Sequence, residues 1–375
     1  MAKRVTLAEV AAQAGVSPIT VSRALRRPDT VQPDTRARID AAVSALGYVP
    51  DPAARALATG RADVIGVLIP SATNAVFTDV LSGLYEELSE TRFDVQYGIT
   101  RYEPATEEKL LGVFLRQRPA GLIVAGIDQT PAARRLLERA DCPVVQVMEI
   151  GPDPVDMMVG FSHHDAAALA TRHLIAQGYR CPGFLGARMD PRTQRRFAGF
   201  RAEAEAASCF EPERCETTET PSSVGVGAAL LRALLARRPE TDAVFCNNDD
   251  LAMGALFEAM RLGRTVPDQL GICGFNDLEM MHAAEPALTS VRTNRFEMGV
   301  EAARMIRARL EGRDPARRWS IWAHGSRRGA APAVHTKSAR PERGAPMRSQ
   351  SSSAPLASPL RFWPWPLSFC ALPSF

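Results

Sequence analysis

The chain has 375 residues, 46% hydrophobic and 23% charged, which fits a soluble protein of two or three domains and excludes a fibre or a disordered chain. Its net charge of +3 is unevenly spread: residues 1–61 carry +4 and 313–375 carry +8, leaving −9 for 62–312, so a polyanion would be sought by the head and not the body. The seven cysteines include no C-x-x-C pair and no histidines stand at metal spacing, so no disulfide framework, metal or cofactor is expected. No apolar run approaches the ~20 residues of a membrane span and the N-terminus has no signal-peptide pattern, so a cytoplasmic protein without membrane contact is expected.

The first element is a helix. Thr6 and Glu9 form a capping-box pattern, Leu7, Val10, Ala11 and Ala14 fall at helical spacing, and Gly15 closes the run. Ser17 and Pro18 then suit the cap and first turn of a second helix, with Val21 and Leu25 facing inward. Two short helices about a glycine form a helix-turn-helix, whose second helix enters the DNA major groove. A third helix begins at Pro33, covers 34–46 and ends at Gly47, and "PDPAARALATGR" follows as a helical segment too short to be stable alone.

The stretch from Thr6 to Leu25 matches T-L-x-[DE]-V-A-x-x-A-G-V-S-x-x-T-V-S-R-x-L, and with "LGYVPDPAARALATGR" it resembles the LacI family of bacterial transcription regulators. The resemblance implies operator DNA as a partner, a homodimer and no enzymatic activity. Pro18 and Ile19 would then choose bases, with Arg23 at a third base-reading position, since arginine suits a bidentate contact with guanine. Ser17, Thr20 and Ser22 would contact phosphates, and Thr6 is counted among the DNA-binding residues. Ala54 and Leu57 would wedge into the minor groove as part of a hinge. Gln32 departs from the family's usual serine cap.

From Asp63 the pattern becomes α/β. "VIGVLIPS" is an apolar run of buried-strand type, followed by a helix over 77–89, "DVQYGI", a helix over 105–116, "GLIVAG", a helix over 132–139 and "PVVQVM". The scheme repeats with "GFLGA", a helix over 195–207, a helix over 226–237, "AVFCNND", a helix over 251–261, "LGICGFN" and a helix over 296–310. The expected fold is an all-α head on a periplasmic-binding-protein-like core of two doubly wound parallel-sheet lobes. Its parts are a DNA head at 1–50, a hinge at 51–62 and a core at 63–312, with one lobe at 63–160 and 290–312 and the other at 161–289.

Open α/β sheets bind ligands beyond the carboxyl ends of their strands, which singles out Ser71, Asn74, Phe77, Arg188, Asp190, Asn248, Asp249, Asn276 and Asp277. By the family resemblance, Arg196 of "RFAGF" grips the effector and Asn248 of "NDDLAMGA" touches it. Asn276 stands where sugar-binding relatives commonly have aspartate, which favours an anionic effector beside Arg188, Arg192, Arg195 and Arg196. "GVLIPSATNAVFTDVL", "VGFSHHDAA" and "LGARMDPRT" resemble the gluconate-repressor branch of the family, implying gluconate or its phosphorylated form. A neutral sugar or a nucleoside is the alternative. Adjacent His163 and His164 project apart and do not suggest a metal site. No G-x-S-x-G, G-x-x-x-x-G-K-[ST] or G-x-G-x-x-G motif occurs, and a sugar receptor with this body would begin with a signal peptide instead of a basic helix-turn-helix.

After residue 312 the resemblance breaks. Relatives continue with a strand of the form V-V-D-L-G-F, whereas this chain reads "RRWSIWAHGSRRGAAPAV" and then Ser, Pro, Ala and Arg without period. The codons GTG GTC GAT CTG GGC read one base late spell Trp-Ser-Ile-Trp-Ala, the residues Trp319 to Ala323. A frame slip near Arg317 or Arg318 is therefore expected, with a disordered tail at 313–375, a first lobe lacking its last strand and an exposed sheet edge. Such a loss would make the repressor defective.

Overall fold

The computed structural model describes residues 5–26, 28–49 and 60–315, together with the strand pairing of 318–320 and 334–335. Ala54 and Leu57 lie outside the described residues, as does the rest of the tail.

The head is three helices, α1 (Leu7–Ala14), α2 (Pro18–Arg26) and α3 (Pro33–Leu46). Their ends follow the local chemistry. The Glu9 amide donates to Thr6 Oγ1 at 3.4 Å while the Thr6 amide donates to Glu9 Oε2 at 2.7 Å, and Gly15 leaves α1 in the left-handed conformation at φ 64°. The Thr20 amide donates to Ser17 Oγ at 3.2 Å at the start of α2. Gln32 makes no side-chain cap on α3. Val10, Val21 and Ile39, all fully buried, meet between the three helices.

The first lobe alternates β1 (Val64–Ile69), α4 (Ala75–Leu88), β2 (Asp94–Ile99), α5 (Pro104–Arg116), β3 (Gly121–Ala125), α6 (Pro131–Glu138), β4 (Val144–Val147) and β5 (Met157–Gly160). The second contains α7 (His163–Ala176), β6 (Pro182–Ala187), α8 (Pro191–Ala206), β7 (Cys215–Thr218), α9 (Val224–Arg237), β8 (Ala243–Cys246), α10 (Asp249–Arg261), β9 (Gly271–Asn276), α11 (Glu279–Ala283) and β10 (Thr289–Arg292). The chain then returns as α12 (Arg295–Leu310), which packs on α4, β4 and β5, and continues into β11 (Arg318–Ser320) and β12 (Val334–His335). One sheet has the order β11-β5-β4-β3-β1-β2 and the other β12-β10-β9-β8-β6-β7; every pairing is parallel except β12 on β10. The inner strands are buried along their whole length, as parallel strands covered by helices on both faces must be.

Three features differ from the sequence reading. The crossing back to the first lobe comes after Arg292 and not at 290, because β10 completes its pairing with β9 through Arg292 and Asn276. The first lobe does not lack its last strand: Arg318, Trp319 and Ser320 pair in parallel with Met158, Val159 and Gly160, covering part of the edge. Backbone pairing tolerates many sequences, and aromatic and β-branched residues such as those of "WSIW" favour it. Short β5, β7 and β10, and helix α7, were not resolved by periodicity.

Two helix crossings hold the core together at van der Waals distance. A Cβ on Gly299 of α12 would lie 1.9 Å from the Val80 carbonyl oxygen of α4, and one on Gly199 of α8 would lie 2.1 Å from the His164 oxygen of α7. The Gly199 approach seats the start of α8 beside the start of α7, which matters for the site below. Replacing Gly299 with alanine forces the helices apart and should cost about 1–3 kcal/mol, read as a lowered midpoint of thermal unfolding; an unchanged midpoint would show that the crossing has slack.

Candidate functional site

In the head, α2 buries Val21 and Ala24 and turns Pro18, Ile19 and Arg23 outward, with Ile19 71% exposed. An isoleucine so exposed on a helix anchored by its opposite face is a contact surface. Ser17 and Thr20 share a hydrogen bond at 2.9 Å between their hydroxyls, and Ser22 is half-buried. The Thr6 hydroxyl donates to Glu9 Oε2 at 3.0 Å, so its first role is to start α1.

The second candidate site is the cleft between the lobes, where strand ends from both sheets converge. Asp190 caps α8 by accepting from the Thr193 amide at 2.9 Å, and the next turn presents Arg192, Arg195 and Arg196. Arg196 is buried. Its Nε donates to His163 Nδ1 at 3.2 Å, its Nη1 to the Asn247 carbonyl oxygen, and its guanidinium lies 3.7 Å from the Phe275 ring centroid. Burial lowers its pKa to about 10, which still leaves a cation at neutral pH.

His163 is fully buried, and burial together with Arg196, Arg192 and Arg195 holds its pKa well below the ordinary value, so the ring is neutral. Because Nδ1 accepts from an arginine, the proton sits on Nε2. That Nε2 has no hydrogen-bond partner and stands 3.9 Å from Glu149 Oε2. Asn276, only 5% exposed, likewise has an Oδ1 without a partner. The cavity therefore holds one buried donor and one buried acceptor that the protein does not satisfy, at a cost that a ligand can remove.

The strand ends are strained as well. Tyr102 after β2, Met148 after β4, Arg188 after β6 and Asn276 at the end of β9 have φ of 62°, 79°, 66° and 121°, a region L side chains avoid. Such outliers gather in ligand clamps.

Side chains also reach across the cleft. Arg195 Nη1 contacts Asp128 Oδ2 and Glu149 Oε2, both at 2.9 Å, so one second-lobe cation holds two first-lobe carboxylates. Arg188 lies 4.0 Å over the ring of Tyr102. Arg295 Nη2 meets Asp79 Oδ2 at 2.7 Å while its Nη1 donates to the Asn276 carbonyl oxygen. Burial raises the Glu149 carboxyl to about 7 against the opposing pull of Arg195.

Of the residues read from the sequence, Asn74, Phe77, Arg188, Arg196, Asn248 and Asn276 line one cavity. Asn74 and Asn248 each use Oδ1 to cap a helix, accepting from the Val76 amide at 3.0 Å and the Leu251 amide at 3.1 Å. Ser71 is not among the lining residues; its hydroxyl is engaged locally, with Thr73 Oγ1 at 3.1 Å. Sequence reasoning weighed His163 only as a metal ligand and did not single out Tyr102, Glu149 or Asn247. His163 follows Ser162, whose side chain caps α7 directly after buried β5, and that cap was the available signal. His164 instead points outward to Asp165, Nδ1 to Oδ1 at 3.1 Å.

Family models match the chain twice: bacterial regulatory proteins of the lacI family over residues 6–51, and a periplasmic-binding-protein-like domain over 171–325. The HTH-type transcriptional regulator GntR of Pseudomonas aeruginosa is 40% identical over 311 residues, covering 83% of this chain and 91% of that protein. A LacI-family transcriptional regulator from Silicibacter pomeroyi has a solved structure with TM-score 0.81 and 35% identity over 90% of this chain and 99% of that one. The structure of GntR from Chromobacterium violaceum gives TM-score 0.66 and 40% identity over 68% of this chain and 95% of that one.

The raised Glu149 pKa has a signed consequence. The folded state holds this proton up to about pH 7, whereas an unfolded carboxyl releases it near 4.5, so the group's contribution to stability falls as pH rises between those values. Glu149→Gln removes that dependence. Its thermal midpoint relative to the parent should therefore rise from pH 5 to pH 8 by the equivalent of about 1–3 kcal/mol; a difference that does not change with pH would contradict the assignment.

Proposed function

As a member of the lacI family of bacterial regulatory proteins, this chain is a DNA-binding transcriptional regulator, and we propose that it is a homodimeric repressor whose operator affinity is set by gluconate or 6-phosphogluconate held between its lobes. The observation that carries the effector class is the pair Arg188 and Arg196. They line one cavity, Arg196 is buried, and neither has a carboxylate partner among the described residues. An uncompensated buried cation is costly, and a carboxylate or phosphate is the ligand that planar guanidinium groups bind best. Asn276 supports the same reading, since an aspartate there would oppose an anion.

In this reading residues 1–50 form the DNA head, 51–62 the hinge and 63–312 the core. Pro18 and Ile19 read shape and methyl groups, Arg23 reads guanine, and Ser17, Thr20 and Ser22 fix the register on phosphates, with Thr6 at the start of the supporting helix. Ala54 and Leu57 wedge into the minor groove from the two hinge segments of a dimer. Cavity and head are linked because the ligand binds between the lobes: a change in their relative orientation moves the points from which both hinges emerge. A coupling of this kind is typically worth 1–3 kcal/mol, or about 5- to 150-fold in affinity.

Fluorescence anisotropy of the full chain on a selected operator, with and without each acid, tests the proposal. Salt-sensitive binding that changes about 5- to 150-fold with one of the acids is expected; no response to either acid removes the effector reading, and no salt-dependent DNA binding removes the function. Arg196→Met should abolish the response while leaving operator binding in place. Arg23→Ala should weaken the operator complex by about 1–3 kcal/mol and relax preference at one guanine.

A further inference from the structure

Two cavities open at the strand ends, and they adjoin. The arginine chamber described above encloses about 540 Å³ of empty space; a second, of about 790 Å³, lies between the first-lobe strand ends and the start of α8. Tyr102, Asp190 and Arg192 line both, so the chambers meet at one shared wall, with Arg188 and Arg192 4.0 and 5.3 Å from the Tyr102 ring centroid.

Their charges are opposite. The first chamber carries the unpaired Arg188 and Arg196. The second is lined by Glu103, Glu107, Asp128 and Asp190, of which Asp128 is paired with Arg195 and Asp190 with Arg192. Glu103 and Glu107 have no salt-bridge partner among the described residues, and Glu107 Oε1 is buried without a hydrogen-bond partner. Thr100 and Thr130 add hydroxyls to the same wall, over a floor formed in part by Leu68 and Ala125.

We infer that the effector lies extended through both chambers, with its carboxylate on Arg188 and Arg196 and its hydroxylated chain passing Tyr102 to Glu107, so that the site selects an unphosphorylated, open-chain polyhydroxy monoanion. This rests on the reading of the arginine chamber as the effector site. Hydroxyl groups donate to carboxylates, and Glu107 Oε1 is an acceptor in want of a donor. The orphaned His163 Nε2 and Asn276 Oδ1 offer a donor and an acceptor to the carbons nearest the carboxylate. A phosphate at the far end of the chain would bring up to two negative charges against Glu103 and Glu107, where like charges at short range repel strongly in a partly dry site. Reversing the ligand does not help, because its carboxylate then meets the same residues.

Isothermal titration of the full chain with gluconate, 6-phosphogluconate and three-carbon glycerate tests the inference. Gluconate should bind at least about tenfold more tightly than 6-phosphogluconate, and glycerate, which fills only the arginine chamber, should bind weakly and equally to the parent and to Glu107→Gln. In Glu107→Gln, and to a smaller extent in Glu103→Gln at the exposed rim, the preference should shift toward 6-phosphogluconate by about fivefold or more. Equal binding of the two six-carbon acids to the parent, or a preference that neither variant changes, overturns the extended pose while leaving the arginine-chamber reading intact. Binding of neither acid overturns both.

Discussion

A buried guanidinium without a counter-ion is the constraint on which the rest of the effector site depends. Arg196 cannot shed its charge, and the protein answers it only with a ring nitrogen, a backbone oxygen and an aromatic face. Each answer fixes something else. The histidine must be neutral and carry its proton on Nε2, and Phe275, within one residue of Asn276, must lie flat against the charge. Gly199 lets α8 approach α7 closely enough for these contacts to form. The remaining uncompensated charge is then a property of the empty cleft.

The lobes are joined by the same kind of interaction. Arg195 leaves the turn that carries Arg196 but spends its charge across the cleft on Asp128 and Glu149, and Arg295 does so on Asp79 and the Asn276 carbonyl oxygen. Neighbouring arginines thus divide the work: one is kept for a ligand and one holds the cleft walls together. Because Glu149 lies 3.9 Å from His163 and on the Arg195 bridge, an anion arriving at Arg196 acts on the residues that connect the lobes. That proximity gives ligand occupancy a physical route to lobe orientation, and lobe orientation is what two hinge segments emerging from the core would sense.

Much of this was legible in the chain before any coordinates. Capping pairs such as Thr6 with Glu9, and glycine closures at Gly15 and Gly47, are local chemistry, and helix ends made by local chemistry fall where the residues say. Long apolar strands such as "VIGVLIPS" were legible because burial on both faces leaves a continuous run. The four-residue β5 and β10 are too short for periodicity to register. His163, Tyr102 and Glu149 escaped for a different reason: their roles come from contacts across the lobes, between residues tens of positions apart, and nothing local marks them. Ser71 shows the converse, a residue at a strand end whose hydroxyl serves its own turn. At β11 a departure in side-chain pattern was taken to mean a missing strand, whereas a backbone ladder needs only an extended segment at the right edge.

The central claim is that the cleft lacks a negative charge that its ligand supplies, and thermal unfolding of the full chain with matched acid and neutral sugars addresses it directly. Gluconate should raise the midpoint in a concentration-dependent way, as any ligand bound to the native state alone must, while glucose at the same concentrations should leave it unmoved. Equal stabilisation by the two would contradict the account, because it would mean that the cleft recognises hydroxyl groups and has no use for the charge.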